Sequence, residues 1–178
     1  MIDVWHQFFN KYFGISKNLH YESNKIMEQL FKSSNKVLGV LIRGTDYISR
    51  KPKGHPKPPS PKQAIKDIIY MDKINKYDYI FLATEDIKIK EKFIHSFEKK
   101  LKYLETKDKI LYDYKKKEFL SYNKNIKGNI ENIKIYMINI IILSKCIDIL
   151  SSRTSGASGA FILSEGFRNI KMYYIGDY

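Results

Sequence analysis

The sequence predicts an α/β domain built on a mainly parallel sheet with flanking helices, and three observations carry that prediction. Between residues 37 and 175, short β-branched runs alternate with longer segments of helical period, the order expected of stacked β-α units. Three of the strand-like runs end abruptly in small, polar or charged residues, where the strands of an open α/β sheet meet their ligands. The chain has 178 residues, 43% of them hydrophobic, which suits one such domain with its own core and leaves no room for a second complete one.

Residues 1 to 35 read as a helical amino-terminal segment that precedes the sheet domain of residues 36 to 178. Trp5, Phe8, Phe9, Tyr12 and Phe13 recur at helical spacing, and a second helical pattern follows around Ile26 to Phe31. Such a stripe is a packing surface, against this domain or a neighbouring one, so the segment is expected to act as an inter-domain connector. The first strand is Val37 to Ile42. All five prolines fall between Lys51 and Pro61, a long loop of the kind that carries function. Pro61 then opens a helix to Asn75, in the first turn, where proline is tolerated. The strand Asp78 to Ala83 leads to a helix over Ile87 to Lys100, with Asp86 placed to cap its free amides. Ile110 to Tyr112 is a weak strand, and the Lys- and Asn-rich stretch from Tyr112 to Asn129 has no period. A helix over Ile130 to Lys145, a strand over Ile147 to Leu150, a helix over Gly156 to Glu165 and a strand over Ile170 to Ile175 complete the series.

Lys and Arg number 32 against 19 Asp and Glu, a formal charge of +13. This excess attracts phosphate-bearing partners and anionic membrane surfaces, and says nothing about fold. Much of it is Lys scattered among Ile, Asn and Tyr, the pattern of a solvated basic face. Fourteen tyrosines and this charge permit nucleic-acid binding, but the sequence holds no recognition module, so no specific nucleic-acid partner is expected. The single cysteine, Cys146, cannot form an internal disulfide and reads as a buried small hydrophobe in a reducing compartment. The start, Met1-Ile2-Asp3-Val4-Trp5, lacks the basic and apolar regions of a secretory signal. The longest apolar run, Ile133 to Leu150, is broken by Lys134, Asn139, Lys145 and Asp148, and so reads as a helix and strand rather than a membrane span of about 20 residues. A cytoplasmic location is expected, with peripheral association at the inner face of the membrane as the variant that the charge allows.

Three loops carry the chemistry. In Val40-Leu41-Ile42-Arg43-Gly44-Thr45-Asp46, an apolar strand ends in an arginine whose planar fork matches a phosphate, followed by a glycine that lets the backbone turn or approach a ligand closely. An Arg43 to Asp46 ion pair that merely tidies the strand end is the simpler alternative. In Tyr79 to Asp86, a second strand runs into Thr84, Glu85 and Asp86, acceptors suited to a base or ribose, or else to capping the next helix. In Ser151-Ser152-Arg153-Thr154-Ser155-Gly156, small hydroxyl residues and glycine open a helix, a geometry that favours anions such as a diphosphate. No Walker loop and no G-x-G-x-x-G is present, which argues against ATPase and dinucleotide functions. No D-x-D pair and no His or Cys cluster with ligand spacing occurs, so no catalytic metal is expected.

Taken in order over residues 37 to 165, these loops resemble the motifs of the fucosyltransferases of the α-1,6, nodulation and protein-O types and of related bacterial polysaccharide enzymes. The resemblance implies the carboxy-terminal, donor-binding half of a GT-B architecture, in which two Rossmann-like domains face each other. It implies Arg43 on the β-phosphate of GDP-fucose or a similar GDP-sugar, Asp86 on the guanosine, and Thr154 and Ser155 on the phosphates, with inversion at the anomeric centre and no cofactor. Gly44, Asp46, Thr84, Ser152 and Arg153 complete the expected substrate-binding set. Many relatives have His where this chain has Leu41, and some have a second Arg where it has Gly44. The loop after Arg43 offers His55 and Asp46 as bases for the acceptor hydroxyl, and a His of suitable pKa works near neutral pH. The expected function is transfer of the sugar to a glycan acceptor in surface polysaccharide biosynthesis. Enzymes of this type carry an amino-terminal acceptor domain, so a missing domain or partner chain is expected to complete the site. The rival readings are a catalytically inactive nucleotide-sugar-binding fragment or half-subunit, and a basic nucleic-acid-binding protein.

Overall fold

The computed structural model describes residues 2–105 and 130–178. Five strands, β1 (Val37–Leu41), β2 (Tyr79–Ala83), β3 (Leu101–Lys102), β4 (Asp148–Ser152) and β5 (Asn169–Tyr173), form one all-parallel sheet in the order β3-β2-β1-β4-β5. The helices are α1 (Ile2–Tyr12), α2 (Lys17–Phe31), α3 (Thr45–Arg50), α4 (Pro61–Asn75), α5 (Ile87–Phe97), α6 (Ile130–Ser144) and α7 (Ser155–Leu163).

Strand alternation divides the core between two faces of the sheet. Val37, Leu41, Phe81, Ala83 and Ile149 meet α2, α6 and α7, whereas Leu38, Val40, Ile42, Ile80, Leu82 and Leu150 meet α4 and α5. Because both faces are covered, β1 is buried along its whole length and reads as a continuous apolar run. Gly39 lies on the α6 face, where an added Cβ would meet Cys146 Sγ and Leu143 Cδ2, each at 3.1 Å. The thiol is buried and burial pushes its pKa up, so it packs as a small neutral group. Gly39→Ala is expected to destabilise the domain by about 1 to 3 kcal/mol through overpacking, read as a lower midpoint of urea unfolding with unchanged slope.

Caps mark the helix starts. Ser16 accepts from Leu19 N, Ser60 from Gln63 N, Asp86 from Lys88 N and Ile89 N, and Thr154 from Ala157 N. The Ser16 cap starts α2 well before Ile26, earlier than its apolar pattern alone suggests. Pro61 to Asn75 forms as expected, and the other predicted helices and strands lie within one to three residues of their expected ends. Two short elements escaped the sequence, since β3 has two residues and α3 has six, too few for a period to register. The expected strand Ile110 to Tyr112 lies outside the described residues.

Helix α1 packs on α7, and His6 donates through Nδ1 to the Ile162 carbonyl at 2.9 Å. Phe9 turns inward, while Trp5, Phe8, Tyr12 and Phe13 stay exposed and lean on one another. Among the described residues no helix is long and apolar enough to cross a membrane.

At the amino edge of the sheet, Asp148 is fully buried at the start of β4. Its Oδ1 accepts from Arg168 Nε at 3.1 Å and Asn169 N at 2.9 Å, and its Oδ2 accepts from Arg168 Nη2 at 2.7 Å and from the Tyr77 hydroxyl. Burial alone would raise the Asp148 pKa, but the hydrogen bonds from Arg168, Tyr77 and Asn169 outweigh it and hold the carboxyl below its usual range.

Candidate functional site

Functional residues are expected where the strand order turns back on itself. The chain builds β1, β2 and β3 outward in one direction, then returns to lay β4 and β5 on the other side of β1. The loops after β1 and β4 therefore diverge at the carboxyl edge. Register sets their heights, because Leu41 pairs with Ala83 on one side and with Ser151 on the other. Arg43, Glu85 and Arg153, each two residues further on, stand level, with the Arg43 loop in the middle. The three loops singled out in the sequence thus share one edge of one sheet.

The β1 loop is clamped by the β2 loop. Glu85 Oε1 accepts from Gly44 N at 2.8 Å and from Thr45 Oγ1 at 3.1 Å, and makes an ionic contact with Arg43 Nε at 3.3 Å. Asp86 Oδ2 accepts from Thr45 N at 2.9 Å, while its Oδ1 caps α5 through Lys88 N at 2.8 Å and Ile89 N at 3.2 Å. Two adjacent carboxylates thereby hold three consecutive residues of the β1 loop. They hold it under strain, since Thr45 has φ of 40°, a left-handed conformation that β-branched residues resist. Gly44 is required by the same clamp, because a Cβ there would lie 2.1 Å from Asp86 Oδ2 and 2.5 Å from Asp86 Cβ.

Arg43 is held from a second side as well. Its guanidinium lies over the Tyr47 ring, 4.7 Å from the centroid, and the Tyr47 hydroxyl is in hydrogen-bond contact with His55 Nδ1 at 3.2 Å. The Pro-rich loop carrying His55 is pinned in turn by the final residues of the chain. Gly54 N donates to Tyr178 O at 3.1 Å, Tyr178 N to His55 O at 3.0 Å and Lys57 N to Gly176 O at 2.9 Å.

On the other side of the crevice, Thr154 caps α7 by accepting from Ala157 N at 3.2 Å. Helix geometry leaves the amides of Ser155 and Gly156, in the first turn, without intrahelical acceptors and so able to donate to an anion. Ser152 Oγ is buried at the end of β4 with no hydrogen-bond partner among the described residues. Arg153 pairs with Asp177 at 3.9 Å and lies 5.2 Å from the Tyr174 ring centroid.

Several expected roles look different in this geometry. Asp86 is only 2% exposed and both its oxygens are engaged by backbone amides, so it acts as cap and clamp. Thr84 Oγ1 accepts from Asp86 N at 3.2 Å and belongs to the same turn. The Asp46 side chain lies outside the described residues, and the ion pair of Arg43 that is described runs to Glu85. Glu85 stands among the acceptors that the sequence places after β2, but only the pairing of Leu41 with Ala83 puts it beside Arg43. Among the described residues, no three His, Cys, Asp or Glu side chains converge to hold a metal ion.

No family model and no curated protein matches the sequence. Solved structures do match the fold. The α-1,6-fucosyltransferase NodZ soaked with GDP-fucose superimposes with a TM-score of 0.52 over 85% of this chain, at 14% identity. POFUT1 in complex with GDP-fucose superimposes with a TM-score of 0.59 over 96% of this chain, at 12% identity. The fold is fucosyltransferase-like. Within that architecture the five-stranded parallel sheet and its helices form a Rossmann-like half of a GT-B arrangement. The chain spans 43% of the matched NodZ chain and 49% of the POFUT1 chain, about half the length of the structures it matches.

Proposed function

We propose that the crevice between β1 and β4 binds GDP-fucose or a closely related GDP-sugar, and that the chain supplies the donor-binding half of a metal-independent, inverting hexosyl transferase. The position of Arg43 carries this reading. It stands at the switch point, level with the start of α7, preset by Glu85 and Tyr47, in a fold shared with structures that hold GDP-fucose.

In the transfer, the bond between the anomeric carbon and the β-phosphate oxygen breaks and its electron pair leaves on the diphosphate. The acceptor hydroxyl adds to the opposite face of that carbon and gives up its proton. A fixed guanidinium and the amides of Ser155 and Gly156 stabilise the departing diphosphate without reorganising, the role that other transferases give to a divalent ion. Thr154 and Ser155 flank the phosphates, with the Ser152 hydroxyl, which has no hydrogen-bond partner among the described residues, at the end of the preceding strand. Glu85 meets the nucleoside, since Asp86 is spent on the clamp. His55, coupled to Arg43 through Tyr47, is the group of this loop suited to take the acceptor's proton. The acceptor is a glycan of surface polysaccharide biosynthesis, as the resemblance to bacterial polysaccharide enzymes suggests, and α1 is the connector to an acceptor-binding half.

Calorimetric titration with GDP, GDP-fucose and UDP tests the reading. The guanine nucleotides should bind at least tenfold tighter than UDP. Arg43→Ala should weaken GDP by about 1.5 to 3 kcal/mol, the worth of a hydrogen bond to a charged group, or roughly 10- to 150-fold. A folded chain without guanine preference overturns the proposal, and salt-steep binding to any polyanion would support a nucleic-acid role instead. The half-length match favours one further reading, a nucleotide-sugar-binding module that is silent without its other half. Donor turnover on glycans by the isolated chain would exclude it.

A further inference from the structure

Helix α6 reaches the crevice through one residue that belongs to none of the three loops. The Tyr136 hydroxyl lies 3.0 Å from where a Cβ on Gly156 would stand, directly over the first turn of α7. A Cβ there would also lie 3.2 Å from Ile140 Cδ1 and 3.2 Å from Leu41 Cδ2, so only glycine fits beneath the hydroxyl without displacing its neighbours. The ring is half-exposed, and the charged and polar groups that act on it are Arg43, Glu85 and Tyr47. Burial pushes the phenol pKa up, more than Arg43 draws it down, so the hydroxyl keeps its proton at neutral pH and can donate. No hydrogen bond occupies it among the described residues.

We propose that Tyr136 is a fourth diphosphate-binding group, its hydroxyl donating to a phosphate oxygen held between Arg43 and the amides of Ser155 and Gly156. This rests on the nucleotide-sugar reading above. A donor at this point adds to the stabilisation of the leaving diphosphate without adding charge.

The test compares Tyr136→Phe with the unmodified chain in titrations with GDP and with guanosine, alongside thermal melts. GDP affinity should fall about tenfold, the loss of one hydrogen bond to a charged acceptor, while guanosine affinity and the melting temperature stay unchanged. Unchanged GDP affinity overturns the role of Tyr136, as does an equal loss for guanosine. Arg43→Ala measured in parallel separates the two levels. GDP binding that depends on Arg43 and not on Tyr136 overturns only this inference, whereas no GDP binding by the unmodified chain overturns the nucleotide reading with it.

Discussion

Gly44→Ala is expected to unseat the loop that carries Arg43 and to abolish measurable GDP binding. The added methyl would overlap Asp86 at both its Oδ2 and its Cβ, and swinging the carboxylate aside does not relieve the second contact. Asp86 has no free oxygen to give up, since it holds Thr45 N and the first amides of α5 together. Relief requires the β1 loop to lift, which breaks the Thr45 and Gly44 amide bonds to the two carboxylates and moves Arg43 off Glu85. Each amide bond to a carboxylate is worth about 1.5 to 3 kcal/mol, so a destabilisation of about 3 kcal/mol is expected from chemical unfolding. Calorimetry should find a loss of GDP affinity at least as large as for Arg43→Ala. Pairing the change with Asp86→Gly, which removes the three atoms nearest the methyl, should make the two costs clearly less than additive. Additive costs would show that Gly44 and Asp86 are not coupled through this contact.

Asp148→Ala should produce the largest loss of stability, with no direct effect on the candidate site at the opposite edge of the sheet. It strips the acceptor from the buried Tyr77 hydroxyl, from Asn169 N and from two Arg168 nitrogens. Arg168 is half-exposed and can return to water, but the Tyr77 hydroxyl and the Asn169 amide lose their acceptor at about 1 to 3 kcal/mol each, a fall of roughly 4 to 20 °C in melting temperature for a domain of this size. The network also has a pH signature. Because its folded pKa is depressed, Asp148 contributes stability that is complete above the unfolded carboxyl value, about 3.9, and is lost as pH falls through the lower folded value. Acid unfolding of Asp148→Asn should therefore be flatter across that window than that of the unmodified chain. An equally steep acid limb would assign the proton uptake to other carboxylates.

Much of this architecture was legible in the sequence because parallel strands buried on both faces are short, apolar and sharply ended. Val37 to Ile42 and Asp78 to Ala83 announce themselves that way, and each break in the pattern marks a loop at the carboxyl edge. Arg43 stood out for the same reason, an arginine at the end of a run that is otherwise all core. What the sequence could not convey is which polar residue spends its hydrogen bonds where. Asp86 and Glu85 are neighbours of like charge, and only the pairing of β1 with β2 decides that one turns inward as cap and clamp while the other stands beside Arg43. Tyr136 was invisible for a related reason. Its place in the crevice depends on how α6 lies against α7, and within α6 it is one more large side chain in an apolar helix.

The strand order also has a consequence in time. The central strand β1 pairs on one side with β2, some 40 residues away, and on the other with β4, roughly 110 residues downstream. Non-local pairing of this kind is slow, because the loop must close before any contact rewards it. During synthesis the Arg43 loop can settle onto Glu85 and Asp86 long before the opposite wall exists. The crevice is completed only when β4 and the first turn of α7 arrive from the last 31 residues of the chain. A truncated or stalled product would thus carry a finished arginine clamp facing no second wall, with the apolar edge of β1 open to pairing with the wrong strand.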